Sequence, residues 1–153
     1  MRRASLLAIL TVSLLSLAAC GRDDAPKVKT STDSSGTQTV TVTDGKGTQV
    51  TVTGPGGSAN MPAFAPLFPG AIVGSTVTTP DKGGMVVFKT SAAPQDVIDF
   101  YKKSAAGAGM KDNLSMTSGD TISYSASSQS PAHSLSITAA KGDGGTQVQV
   151  IWN

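Results

Sequence analysis

Pro94-Gln95-Asp96-Val97-Ile98-Asp99-Phe100-Tyr101-Lys102-Lys103-Ser104-Ala105 is the stretch on which the fold turns. Val97, Ile98, Phe100, Tyr101, Ala105 and Ala108 recur at helical spacing and share one face, while Gln95, Asp96, Asp99, Lys102 and Lys103 take the other. Pro94 suits a first helical position, and Asp99 stands four residues before Lys103 in the favourable order. Gly107 and Gly109 end the run. The polar side carries too little Lys and Arg for a membrane-surface helix, so the apolar face is expected to pack on a sheet. Ala93 sits where a capping Ser would serve, a loss of about 1 kcal/mol at the helix start.

The flanks supply that sheet. Before the helix, residues 71–79 and 85–90 are apolar-rich runs around Pro80-Asp81-Lys82-Gly83-Gly84, which reads as two strands and a turn. After it, residues 122–126, 135–139 and 148–152 alternate with period two, as half-buried strands do. Turns are expected at Ser118-Gly119-Asp120 and Lys141-Gly142-Asp143-Gly144-Gly145. The expected class is α+β: an antiparallel sheet of about five to six strands in the order ββαβββ, packed against one amphipathic helix. Met61-Pro62-Ala63-Phe64-Ala65-Pro66-Leu67-Phe68 leads into it, apolar between prolines and thus suited to covering the sheet.

Every aromatic residue lies between Phe64 and Trp152, so the core belongs to residues 61–153. Residues 20–60 hold Gly, Ser, Thr, Asp and Lys with valine as their large aliphatic, too little apolar surface to fold alone, and read as a flexible tether. Within it, residues 37–53 carry a near repeat, Gly36-Thr37-Gln38-Thr39-Val40-Thr41-Val42-Thr43 and Gly47-Thr48-Gln49-Val50-Thr51-Val52-Thr53, around Asp44-Gly45-Lys46. That is the pattern of a β-hairpin, which docks, pairs with a partner or fluctuates, since two strands alone are marginal in water. Gly54-Pro55-Gly56-Gly57-Ser58 reads as a flexible joint.

Residues 1–19 have the three zones of a signal peptide: Arg2 and Arg3, an apolar run from Leu6 to Leu17, then small residues. The run is shorter than the roughly 20 residues of a bilayer span. Leu17-Ala18-Ala19-Cys20 resembles the lipobox of bacterial lipoproteins. That resemblance implies cleavage between Ala19 and Cys20, with Cys20 acylated as the first mature residue and the membrane as a partner through its chains. Gly21 in place of a retaining aspartate implies the periplasmic face of the outer membrane rather than the inner membrane. In the domain, Pro66-Leu67-Phe68-Pro69-Gly70-Ala71, Val97-Ile98-Asp99-Phe100-Tyr101-Lys102-Lys103 and Gly109-Met110 resemble small envelope lipoproteins with "YPGA" and "FYK" motifs, here with Phe68 for Tyr and Met110 for Trp. They imply no catalytic residues.

Loss of Arg2 and Arg3 turns the precursor charge of +2 into balance, which removes the basic face a nucleic-acid partner requires. The chain has no glutamate and one histidine, His133, so acid–base and metal chemistry are thinly supplied. No Gly-x-Ser-x-Gly elbow accompanies His133, which reads as a loop or strand-edge residue. Lys141–Thr146 lacks P-loop spacing, and neither it nor Asp44-Gly45-Lys46 has the oxygen series of a calcium loop. No catalytic, cofactor or metal site is therefore expected. The expected function is a non-enzymatic binding or structural module of the envelope, with an envelope protein as candidate partner. Small-ligand binding between helix and sheet is the alternative, and an enzyme comes third.

Overall fold

The computed structural model describes residues 25–57 and 59–153. The signal peptide, the Ala19–Cys20 cleavage point, the lipidation site Cys20 and Ser58 of the joint lie outside the described residues.

The elements are β1 (Lys27–Thr32), β2 (Gln38–Thr43), β3 (Gln49–Thr53), β4 (Ile72–Thr79), β5 (Gly83–Thr90), α1 (Pro94–Gly107), β6 (Lys111–Ser118), β7 (Thr121–Gln129), β8 (Ala132–Gly142) and β9 (Gly145–Trp152). All strands join one sheet in the order β1-β2-β3-β4-β5-β9-β8-β7-β6, with antiparallel neighbours throughout. The expectation of five to six strands in the order ββαβββ behind a flexible tether is corrected: among the described residues the sheet has nine strands, and residues 27–53 form its outer third.

The physical reason is an open edge. The Thr/Val strands bury little themselves, but β3 lays Thr51, Val52 and Thr53 against Thr78, Val77 and Thr76 of β4 and so extends an existing sheet. Two similar turns complete the extension. Asp33 accepts from the backbone N–H of Ser35 and Thr37, both at 2.9 Å, and Asp44 accepts from Lys46 at 2.9 Å and Thr48 at 2.7 Å. Gly36 and Gly47 follow with φ of 84° and 83°, the left-handed region that glycine enters without penalty. The Gly-rich joint is strapped down: the Gly54 N–H donates to Gln38 O and the Gly56 N–H to Val73 O.

The core lies on one face of the sheet. Val97, Ile98, Tyr101 and Ala105 of α1 are buried, as the helical spacing requires, and Ala93 gives no side-chain cap. The helix contacts β6, β7 and β8, where Tyr124, Ala126, Leu135, Ile137 and Ala139 are buried. Val86, Phe88, Val148 and Val150 join the same buried cluster, and the apolar residues of 59–71 pack against it. Phe68 meets Phe100 edge-on at 5.2 Å, which joins that cover to the helix and leaves Phe100 half-buried. The opposite face has no such layer among the described residues, and Ile72, Ile151, Leu114 and Met116 are exposed.

Candidate functional site

One rim of the sheet gathers the side chains best placed for binding. A cleft of about 490 Å³ opens there between the ends of β3, β4 and β9, the start of β8 and the covering segment. Its apolar wall is Pro62, Phe64 and Trp152; Thr51, Thr78, Thr79 and Asn60 contribute hydroxyls and an amide, and Asp81 and His133 supply the titratable groups. A volume of this size suits a small organic molecule, with the apolar wall to hold it and the hydroxyl and amide groups to orient it.

Local sequence explains each wall. Thr79-Pro80-Asp81-Lys82 turns with the Lys82 N–H on Thr79 O at 3.1 Å, Pro80 at its first central position and Asp81 at φ 60°, a conformation Asp tolerates better than most residues. The glycines that follow let the indole come close: a Cβ on Gly84 would stand 2.6 Å from Trp152 Cζ2 and 2.6 Å from Val77 O. Trp152 is thereby held at 7% exposure with one edge toward the cleft. Asn153 fixes the neighbouring strand end, its Oδ1 accepting from the Ser134 hydroxyl at 2.6 Å and the Ser134 N–H at 3.1 Å.

His133 is stacked on Phe64, with ring centroids 4.7 Å apart and 25° between planes. The adjacent serines are engaged elsewhere, Ser134 with Asn153 and Ser128 with Pro131 O at 2.6 Å, so no Ser–His pair forms here. The arrangement makes His133 part of the cleft wall. The structure brings it together with Asp81, which sequence did not connect with it, and leaves the Lys141–Thr146 loop at the opposite rim.

Two buried tyrosines complete the titratable groups. Burial pushes the Tyr124 phenol well up, and its 2.6 Å hydrogen bond to Asp112 adds to the shift. Lys102 Nζ lies 5.6 Å from the centre of that ring. The Tyr101 phenol is raised by burial as well, against a smaller opposing influence from the Phe68 backbone, and its hydroxyl has no hydrogen-bond partner among the described residues. Phenols shifted this way stay protonated at neutral pH and are poor bases or nucleophiles. Among the described residues there is no group of three His, Cys, Asp or Glu side chains to hold a metal, and no helix is long and apolar enough to cross a membrane.

The cleft was not legible in sequence because Phe64, Asp81, His133 and Trp152 come from four separate segments. The one signal available was compositional: the only tryptophan and the only histidine fall beside strand ends. No curated protein and no solved structure matches the chain. The START domain-like family model matches residues 73–151, from the second residue of β4 to the penultimate residue of β9, which takes in α1 and all the strands that bury the core. Over that half of its length the chain belongs to the START domain-like family, whose membership suggests a ligand-binding module.

Proposed function

We propose that the protein is an envelope lipoprotein, anchored through acylated Cys20, whose domain binds a small amphipathic molecule in the rim cleft. The observation that carries the binding is the cleft itself, with Trp152 and Phe64 facing Thr51, Thr78, Thr79 and Asn60. Asp81 in the lining favours an uncharged or cationic ligand with an apolar body and hydroxyl or amine groups. Binding is non-covalent, and no residue of the cleft is assigned a catalytic step. The anchor and the address at the periplasmic face of the outer membrane are supported by the Leu17–Cys20 box and by Gly21.

Trp152 is the chain's one tryptophan and reports directly on the cleft. Titration of the protein with a panel of such molecules is expected to shift its emission and raise the melting temperature. Ligand at a hundredfold its Kd adds about 2.7 kcal/mol of stability. Asn60→Phe, at an exposed wall position, fills the cleft and is expected to abolish both responses while leaving the unliganded melting temperature in place. Responses that survive this substitution would place the ligand elsewhere.

A second reading, an envelope protein as partner, is favoured by Ile72, Leu114, Met116 and Ile151 on the open sheet face. Crosslinking in native membranes tests it: adducts lost in Ile72→Lys and Met116→Lys variants support that partner, and none at this face removes it.

A further inference from the structure

We infer that the rim carrying the cleft is the end of the molecule that faces the membrane, and that its docking partner is a phospholipid surface with anionic headgroups. This rests on the proposed anchoring at Cys20. The register fixes where the chain enters the sheet: Lys27 lies opposite Thr43, and Thr43 opposite Gln49. Continuing across, Thr51 pairs with Thr78, Thr79 with Gly83, and Gly84 with Trp152. The start of β1, the β2–β3 turn, the Pro80-Asp81 turn and the cleft therefore share one rim.

Chain length then limits the distance to the bilayer. Residues 21–26 separate Cys20 from Lys27, and seven residue steps reach at most about 25 Å when fully extended. The opposite rim lies a strand length further away, roughly 20 Å along β1 and 33 Å along β8. Such a leash joins the domain at the near rim, which meets the headgroups first, and the far rim reaches them only if the domain turns over.

Charge runs the same way. Exposed Lys27, Lys46, Lys82 and Lys111 sit at the near rim beside Asp44, Asp81 and Asp112, of which Asp44 is turned into its own loop and Asp112 accepts from the Tyr124 hydroxyl. At the far rim lie Asp33, likewise turned into its own loop, Asp120 and Asp143, with Lys89 and Lys141 beside them. An excess of lysine at the anchored end and of carboxylate at the free end is the distribution that an anionic surface orients. A ligand entering the cleft then does so from the interfacial side.

The test uses the full acylated chain in vesicles of phosphatidylethanolamine and phosphatidylglycerol that carry a headgroup-linked energy acceptor. Acylation consumes the sole cysteine, so a thiol introduced by Gln129→Cys at the near rim or Asp143→Cys at the far rim is unique for donor labelling. Transfer from position 129 is expected to exceed that from position 143 several-fold. Equal transfer, or more from 143, in protein of confirmed acylated mass overturns the orientation alone. Protein found unacylated by intact mass, and failing to float with the vesicles, overturns the anchoring and the orientation with it.

Discussion

Residues 65–152 and residues 27–53 contribute strands to the same sheet but are held by different forces. The first region contains every buried apolar side chain among the described residues, from Ala65 through Phe88, Tyr101 and Ile137 to Trp152, under a helix and a covering segment. In the second, Thr37 alone is buried, and order comes from ladder hydrogen bonds, from the Asp33 and Asp44 turns, and from the free edge of β4. Strand propensity with good turn chemistry thus extends a sheet that a core has already paid for, although it cannot found one. The two regions meet at the cleft, where Thr51 of β3 faces Trp152 of β9 across the rim.

The contrast is broken most strongly in the core. Phe88→Ala empties a fully buried site on β5 and is expected to cost about 3–5 kcal/mol, read as a fall in the urea midpoint of the whole sheet. A loss below about 1 kcal/mol would mean that β5 is not central. Gly84→Ala comes next: its Cβ would press on Val77 O and on the indole, for an expected loss of about 1–3 kcal/mol with a changed Trp152 emission. Unchanged emission would show that the indole does not rest on this glycine.

Tyr101→Phe has the opposite sign. It removes a buried hydroxyl without a partner and is expected to stabilise by about 1 kcal/mol in the same assay; a loss of stability would reveal a bond to that oxygen. The smallest effect belongs to the extension. Asp33 is held below the usual carboxylate range chiefly by the Ser35 hydroxyl, and Asp44 chiefly by the Thr48 amide. Depressed folded values mean that the stabilisation is complete above the ordinary value of 3.8 and is lost as pH falls through the lower folded ones. Acid is therefore expected to loosen β1–β3 first, seen as broadening of the Val28, Val40 and Val52 methyl resonances below pH 3.8 while those of Val86 and Val148 hold.

Much of the core was legible, because burial imposes periodicity. The spacing of Val97, Ile98, Tyr101 and Ala105 and the alternation in β7, β8 and β9 mark side chains that are buried. Where nothing is buried the signal fades: Lys111–Ser118 is exposed at every position as an edge strand, and so is Lys27–Thr32. A clue to the latter was present in the repeat of Thr32-Asp33-Ser34-Ser35-Gly36-Thr37-Gln38 by Thr43-Asp44-Gly45-Lys46-Gly47-Thr48-Gln49, which marks two equivalent turns and hence three strands. The docking of those strands on β4 is a tertiary event that no local pattern encodes.

Site-resolved hydrogen exchange on the full chain tests the continuity of this sheet most directly. The account predicts that the backbone amides of Val40, Val42 and Val52, together with those of β5 and β9, are protected well above unfolded-peptide rates at neutral pH, with β1–β3 opening before the core. Peptide-like exchange throughout residues 27–53, beside intact protection of residues 72–152, would contradict it and remove the β3 wall from the cleft.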